Sequence, residues 1–410
     1  MLNKKVSVIG LGYIGLPTAA MFASKKIEVI GVDVNQKAVD KINKGEIHIV
    51  EPGLDKIVEK AVLDGYLKAS IVPEPADVFI IAVPTPFLEL PKDKHIPKPD
   101  LSYIKSASSK ISKVLKKGDL VILESTSPVG TTEKMANWLA IEREDLSFPQ
   151  QVGNSSDVKI AYCPERVLPG QIIDELVENN RLIGGISESC SIAATNIYKI
   201  FVKGDCIITN SRTAEMAKLT ENASRDVNIA FANELSIICD KIDVNVWELI
   251  RLANLHPRVN ILQPGPGVGG HCIAVDPWFI VSKNPDESIL IHTARKINDY
   301  KPEWVIEKVK NVLNDILLAD PNKSVSDITL ACFGLSYKPN IDDLRESPAL
   351  NITKELSNIG FSKLMAVEPN INALPEGLDK IELTPVEEAK EKADIILLLV
   401  DHKEFKETDI

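Results

Sequence analysis

The residues with the clearest chemical potential lie in one loop, Pro264-Gly-Pro-Gly-Val-Gly-Gly-His-Cys-Ile-Ala-Val-Asp276. Its glycines, at 265, 267, 269 and 270, accept backbone conformations closed to other residues and let a ligand approach bare main chain, so the loop suits delivery of the Cys272 thiol to a substrate. Asp276 and Pro277 read as the N-cap and first residue of a helix running toward Trp278, which puts Cys272 just ahead of a helix N-terminus. That position favours the thiolate, the reactive form. Taken alone, a cysteine is more often a buried packing residue, so its meaning depends on the groups around it.

Three further groups of residues bear on it. A long helical stretch from Thr213 to about Asp240, free of Gly and Pro, carries Lys218, Asn222 and Arg225 at i, i+4 and i+7, hence on one face. Such a face is usually solvated, but here it interrupts an alanine-rich, tightly packing helix, as a polar ligand would require. His256-Pro-Arg258 opens the loop that leads to the cysteine, after a short helix over Val246 to Ala253 with Asn245 and Glu248 at its start. Thr85, Thr126 and Glu165 follow the apolar runs Val78 to Val83, Leu120 to Leu123 and Ile160 to Tyr162. Those runs read as buried parallel strands, and ligands of doubly wound sheets sit outside such strand ends. Singly, each of the three is more simply a turn residue, a capping hydroxyl or a solvated acid.

The elements that must position these groups begin at the N-terminus. The strand Val6 to Ile9 runs into Gly10-Leu-Gly12-Tyr13-Ile14-Gly15 and a helix over Leu16 to Ser24, which is the dinucleotide fingerprint in its required setting. The next strand, Glu28 to Val32, ends in Asp33 at the expected spacing of about 20 residues, where a carboxylate accepts the ribose 2′-hydroxyl and repels a 2′-phosphate. NAD is therefore expected over NADP. Farther on, Glu303 to Leu318 reads as a connecting helix after Pro302, and a second α/β unit starts with the strand Thr329 to Phe333. Its turn, Gly334-Leu-Ser-Tyr-Lys338, lacks the later glycines of the fingerprint and is expected to bind something other than a second NAD. Asp342, Asp343, Arg345 and Glu346 precede a helix capped by Ser347 and Pro348 and stopped at Gly360; the strands Leu364 to Val367 and Ile395 to Val400 complete the unit. Leu88 to Pro99, with three prolines, reads as an exposed connection.

A length of 410 residues corresponds to about three domains at roughly 150 residues each. The net charge of -11 argues against a nucleic-acid partner, because phosphate backbones are bound by Lys and Arg. The six cysteines show neither Cys-x-x-Cys pairs nor zinc-ligand spacing, so no metal is expected and a reducing cytoplasm is. The longest aliphatic run, Ile395 to Val400, is far too short to span a bilayer, and no cleavable leader is read at the N-terminus.

With these residues assembled, the chain resembles the nucleotide-sugar 6-dehydrogenases of the UDP-glucose/GDP-mannose dehydrogenase family over nearly its whole length. The resemblance rests on Gly10-x-Gly12-x-x-Gly15, Pro164-Glu165, Lys218-x-x-x-Asn222, Gly269-Gly270-His-Cys272 with Asp276, and Lys338 with Asp342-Asp343-x-Arg345-x-Ser347-Pro348. His271 before the cysteine and Val275 before Asp276 depart from the glucose and mannose enzymes and are similar to the branch that oxidises N-acetylhexosamines. Cys163 to Gly170 and His256 to Pro264 resemble, within that branch, enzymes acting on the N-acetyl-D-mannosamine epimer. The resemblance implies an α/β fold with two Rossmann-like doubly wound domains joined by a central helical domain, divided as 1–210, 211–318 and 319–410. It implies a homodimer paired through the long central helix, a UDP-sugar substrate, and a chain that stops short of the last strand such enzymes usually carry.

The implied reaction oxidises C6 of the sugar twice, with Cys272 capturing the aldehyde and water cleaving the resulting thioester. In that scheme Lys218 assists proton transfer and, with Asn222, stabilises charge on the C6 oxygen, while Asp276, Glu165 and Thr126 manage the water and protons of hydrolysis. Arg166, Val167, Arg225, His256, Arg258 and Gly269 surround the sugar nucleotide, Tyr337 and Lys338 reach it from the C-terminal unit, and Arg345 touches NAD. Gly10, Gly12, Tyr13, Ile14, Gly15, Asp33, Thr85 and Thr126 complete the cofactor set. The alternatives are oxidation of UDP-N-acetylglucosamine or another UDP-hexose, and a two-electron hydroxyacid dehydrogenase, which needs no cysteine. A zinc alcohol dehydrogenase using Cys272 and His271 lacks the ligands for a three-residue site.

Overall fold

A computed structural model describes residues 4–88, 96–168, 170–270 and 272–406, and the chain divides into two compact units, 1–220 and 221–410. The first is built on an eight-stranded sheet: β1 (Lys5–Ile9), β2 (Glu28–Val32), β3 (Leu67–Ser70), β4 (Val78–Ile81), β5 (Leu120–Leu123), β6 (Lys159–Tyr162), β7 (Arg181–Gly185) and β8 (Cys206–Asn210). Their order is β3-β2-β1-β4-β5-β6-β7-β8, with all neighbours parallel except β6 and β7. The expected strands are all present within two residues of their predicted ends, and β3, β7 and β8 are additional. Two of these, β3 and β8, were invisible because Leu67–Ser70 carries an exposed lysine and Cys206–Asn210 is a half-exposed edge strand, so neither forms an apolar run.

Because side chains alternate along a strand, the sheet divides its apolar residues between two cores. Val6, Val8, Val78, Ile80, Leu120 and Ile122 pack on one face, and Ile9, Phe79, Ile81, Val121 and Leu123 on the other. Burial on both faces is what makes the central strands continuous apolar runs. Helix α1 (Gly15–Ser24) covers the first face, with Leu16, Ala19, Ala20 and Phe22 fully buried. Helix α2 (Thr131–Glu142) has its first turn fixed from outside: the buried Glu215 carboxylate accepts hydrogen bonds from Gly130 N, Thr132 N at 2.8 Å and Thr132 Oγ1 at 2.6 Å. Helix α3 (Glu188–Tyr198) lies between β7 and β8 in sequence. Of the Leu88 to Pro99 connection, residues 89–95 lie outside the described set; its ends are joined by an antiparallel bridge between Phe87 and Pro99.

Helix α4 (Ser211–Lys241) is the long helix expected from Thr213, and most of it belongs to the second unit. There it is followed by α5 (Val246–Ala253), whose N-cap Asn245 accepts from Glu248 N, by α6 (Asp276–Lys283), and by α7 (Ile289–Ala319). Helix α7 corrects the predicted boundary. Pro302 lies inside it rather than before it. Its buried stripe, at Ala294, Asn298, Lys301, Val305, Val309 and Leu313, keeps helical spacing straight through the proline. Upstream of Pro302 only Ala294 of that stripe is apolar, so no apolar pattern announced it.

Its polar members are paired: Arg295 with Asp226 at 2.6 Å, and Asn298 Nδ2 donating to Asp226 Oδ1 at 2.8 Å. Asn233 Nδ2 donates to Asn298 Oδ1 at 2.9 Å. This network outweighs the local preference against an interior proline.

The second sheet, all parallel, has the order β11-β10-β9-β12 from β9 (Thr329–Phe333), β10 (Lys363–Val367), β11 (Ile381–Leu383) and β12 (Ile395–Leu398). Helix α8 (Pro348–Leu356) starts as expected, with Ser347 Oγ accepting from Leu350 N at 3.3 Å, but ends before Gly360, which instead takes φ +97° in the turn to β10.

Candidate active site

In the first unit the fingerprint turn is shaped for a dinucleotide. Gly10 has φ +94°, and a Cβ there would stand 2.6 Å from Ala82 O; one at Gly15 would stand 1.8 Å from Gly10 O. Gly12, by contrast, faces open space, with nothing within 4 Å of where a Cβ would be. Those are the three roles the motif requires: tight turn, open approach and close helix packing. Asp33 sits at the end of β2 with Oδ2 accepting from Leu11 N at 2.9 Å and Oδ1 accepting from Asn35 N at 2.8 Å, so its carboxylate is oriented beside the turn. Tyr13 and Ile14 are half-buried. The residues present therefore fit NAD.

Thr85 and Thr126 come together, as the loops after β4 and β5 allow: Thr85 Oγ1 donates to Thr126 O at 2.7 Å. Glu165, after β6, is not the solvated acid that its loop position permits. It is 8% exposed, with Oε1 accepting from Arg166 N at 2.8 Å and Oε2 lying 2.7 Å from the Arg181 guanidinium. Arg181 also pairs with the buried Glu124, which the sequence reading missed. Burial pushes the Glu124 carboxyl up to about 7, against the pull of Arg181 and with the push of Glu165. Val167 packs against the N-terminal core, Arg166 is half-buried, and Lys218 is half-buried on α4.

In the second unit, Asn222 and Asp276 meet: Asn222 Nδ2 donates to Asp276 Oδ2 at 2.5 Å, and Asp276 is 3% exposed. This corrects the N-cap expectation. Val275 occupies the cap without a side-chain bond, Asp276 is the first helical residue of α6, and Pro277 follows it. The carboxylate thus bonds a side chain of another helix while remaining at the favourable, positive end of its own. Cys272 is exposed one turn earlier, its carbonyl accepting from Val275 N at 3.1 Å and Asp276 N at 2.9 Å. His271 lies outside the described residues.

The glycine loop is pressed onto the turn of the second sheet. A Cβ on Gly269 would stand 2.5 Å from Glu346 O and 2.8 Å from Tyr337 Cβ, and one on Gly270, at φ +82°, 3.2 Å from the Tyr337 ring. The loop's start is tied down too, Gly265 N donating to Asn233 Oδ1 at 2.9 Å. Tyr337 and Gly269 are therefore neighbours, and Lys338 beside them is exposed. Arg225, His256 and Arg258 are exposed, with His256 Nδ1 accepting from Arg258 N at 3.3 Å. Arg345 is engaged with Asp343, its Nε and Nη2 donating to the carboxylate at 2.9 and 2.6 Å.

Glu368 ends β10 as Asp33 ends β2, but its Oε2 accepts from both Leu335 N at 2.8 Å and Ser336 N at 3.1 Å. It is also bonded by the buried His402 at 3.0 Å. Burial opposes ionisation of Glu368, yet the His402, Leu335 and Asn370 bonds together hold it down at about 2. The charged carboxylate thus occupies the amides of Leu335 and Ser336 in the second turn.

Family models match this chain in three consecutive segments: the NAD-binding domain of the UDP-glucose/GDP-mannose dehydrogenase family over residues 4–202, its central domain over 212–300, and its UDP-binding domain over 331–410. The chain belongs to that family. It is an NAD-dependent oxidoreductase acting on UDP-sugars, and its fold is the expected one, Rossmann-like sheets with a helical region between them. Among its relatives, a UDP-N-acetyl-D-mannosamine dehydrogenase of Campylobacter jejuni is 64% identical over 406 residues, 98% of this chain and 96% of that one. An NDP-N-acetyl-D-galactosaminuronic acid dehydrogenase of Ralstonia nicotianae is 59% identical, over 99% of this chain and 92% of its own. The solved UDP-N-acetyl-mannosamine dehydrogenase of S. aureus is 43% identical with a TM-score of 0.83, covering 98% of this chain and 90% of that one. No helix among the described residues is long and apolar enough to cross a membrane.

The Asp33 geometry carries a prediction. Bonds from a neutral donor to a charged acceptor contribute about 1.5 to 3 kcal/mol, so Asp33→Ala is expected to raise the KM for NAD about tenfold or more and to relax discrimination against NADP. Initial rates with both cofactors check it; equal use of both by the unaltered enzyme contradicts the assignment.

Proposed function

We propose that this enzyme oxidises UDP-N-acetyl-D-mannosamine at C6 to UDP-N-acetyl-D-mannosaminuronate, in two NAD-dependent steps through a thioester on Cys272. The observation that carries the reading is the exposed Cys272 placed one turn ahead of α6, with the Asn222–Asp276 pair at that helix's first residue, in a chain 64% identical to a UDP-N-acetyl-D-mannosamine dehydrogenase. The division 1–210, 211–318 and 319–410 belongs to the same proposal, as cofactor, central and UDP-sugar domains.

Two NAD molecules, bound in turn, would each take up one of the two hydrides that leave C6. Everything else falls to the chain. In the first oxidation Lys218 assists transfer of the C6 hydroxyl proton and, with Asn222, stabilises the charge that develops on the C6 oxygen; a preorganised donor of this kind contributes about 3 to 4 kcal/mol. The Cys272 thiolate then adds to the aldehyde carbon, holding the reactive intermediate as a thiohemiacetal. Loss of the second hydride and the hydroxyl proton gives the thioester. Glu165, Asp276 and Thr126 orient the water and accept its proton as the C–S bond breaks, releasing carboxylate and thiol. Arg166, Val167, Arg225, His256, Arg258, Gly269, Tyr337 and Lys338 hold the sugar nucleotide, and Arg345 contacts NAD. The chemistry depends on a free thiol, which a reducing cytoplasm preserves.

A panel of UDP-sugars with purified enzyme and NAD, read by NADH absorbance, tests the substrate. UDP-N-acetyl-D-mannosamine is expected to give the highest kcat/KM; preference for the gluco or galacto epimer overturns that choice. Lys338→Ala is expected to weaken UDP-sugar binding about tenfold while leaving NAD affinity unchanged, since one charge-assisted phosphate contact is lost. Calorimetry with each ligand decides. The enzyme is further proposed to pair as a homodimer along α4, a reading supported by exposed Phe231 and Ile238 there and Trp247 on α5. Light scattering should give twice the 45.0 kDa chain mass.

A further inference from the structure

The single reversal in the first sheet has a chemical consequence. Strand β7 runs antiparallel to β6, pairing Gly185 with Ala161 and Gly184 with Tyr162, so its first residue, Arg181, arrives beyond the C-terminal end of β6, beside Cys163 to Glu165. A parallel strand would have delivered its last residue there instead. Arg181 is 4% exposed, lies with its guanidinium 3.9 Å from the Tyr198 ring centroid, and is shared between Glu124 and Glu165. Glu124 is held in turn by Tyr198 Oη at 2.9 Å and Thr18 Oγ1 at 3.3 Å. The thiols of Cys163 and Cys206 also border the cluster, and burial pushes both up, keeping them neutral.

Two carboxylates on one guanidinium make a poor device for stability alone, because buried ion pairs seldom outperform apolar packing and this one carries a surplus acid. What the arrangement does accomplish is orientation. With Oε1 accepting from the Arg166 amide and Oε2 2.7 Å from the Arg181 guanidinium, the Glu165 carboxylate is anchored at both ends, although the residue lies in a loop. We propose that Arg181, clamped from behind by Glu124 and Tyr198, is a positioning residue that aims the Glu165 carboxylate at the water that cleaves the thioester. The inference rests on the role given to Glu165 above.

Its signature is a defect confined to one step. Arg181→Lys keeps a positive charge but not the planar guanidinium that meets both carboxylates through Nη2 while lying on the Tyr198 ring. A misplacement of about 1 Å costs on the order of a hundredfold in rate. In rapid-mixing experiments with NAD and UDP-N-acetyl-D-mannosamine, or the UDP-sugar oxidised fastest in the panel, the variant should release its first two NADH per active site within about threefold of the normal rate. It should then hydrolyse the acyl-enzyme about ten- to a hundredfold more slowly, so that intact-mass spectra show the adduct on Cys272. Glu165→Gln should show the same accumulation, and adding Arg181→Lys to it should change little further.

If Arg181→Lys slows oxidation and hydrolysis in equal proportion, or leaves hydrolysis unchanged while Glu165→Gln stalls it, the positioning role is wrong. If Glu165→Gln hydrolyses normally, the role of Glu165 itself has failed, a distinguishable result. Should Arg181→Lys not fold, Glu124→Gln/Arg181→Met removes the buried pair together and is read by the same criterion; failure of both to fold overturns the inference, since folding would then account for Arg181.

Discussion

Cys272→Ala is expected to lower net turnover by about three orders of magnitude or more, because the thiol is the nucleophile on which the second oxidation depends. Without it no thiohemiacetal forms, the second hydride has no donor, and only slow release of aldehyde remains. The unaltered enzyme should yield two NADH per sugar and a carboxylate. Cys272→Ser separates nucleophilic capture from hydrolysis: a serine alkoxide can still add, but the oxygen ester it forms cleaves far more slowly than a thioester. Intact-mass spectrometry after mixing with UDP-sugar and NAD should therefore show a sugar-nucleotide adduct on the serine variant and none on the alanine variant. The exposure of Cys272 makes the variants informative, since truncating an exposed side chain leaves no core cavity, and thermal stability should change little. One NADH per sugar from the native enzyme, with activity retained in Cys272→Ala, would return the cysteine to a packing role and revive the two-electron alternative.

How far the sequence was legible follows from the kind of signal each feature leaves. The central strands of the first sheet are buried on both faces and announce themselves as apolar runs. The fingerprint turn is equally plain, since Gly10 and Gly15 stand where any side chain would collide with backbone. The Asn222–Asp276 contact was half legible: both residues were singled out, but a cap was expected for Asp276 because Asp-Pro before an apolar stretch reads as helix entry. Only tertiary placement of α4 against α6 turns that carboxylate to a different partner.

Arg181 left no signal at all. It opens a strand that was not predicted, and a buried arginine is indistinguishable in sequence from a solvated one until the reversal of β7 brings it to Glu165. Pro302 misled for the converse reason, a strong local signal overridden by the Asp226, Arg295 and Asn298 network.

Asn222→Ala should lower kcat by about two to three orders of magnitude with little effect on NAD binding, the range found when one oxyanion donor is removed. The geometry refines this. Asp276 Oδ2 takes one hydrogen of the Asn222 amide, which fixes the group so that Nδ2, rather than Oδ1, is the atom held in a known direction, with its second hydrogen available for the C6 oxygen. Asp276→Asn keeps the shape and an acceptor but removes the charge, and should weaken that orientation while also impairing thioester hydrolysis. Two residues acting as one unit are not additive, so the double variant should fall little below Asn222→Ala alone, with a coupling energy of about 0.5 to 3 kcal/mol between them. A helix-packing role would look different: Asn222→Ala would lower the Tm and reduce active-site occupancy without a change in kcat per folded enzyme, and the two substitutions would add. Measuring kcat against titrated active sites, alongside thermal unfolding of the four proteins in the cycle, separates the two, and additivity in log kcat would remove Asn222 from the oxyanion site.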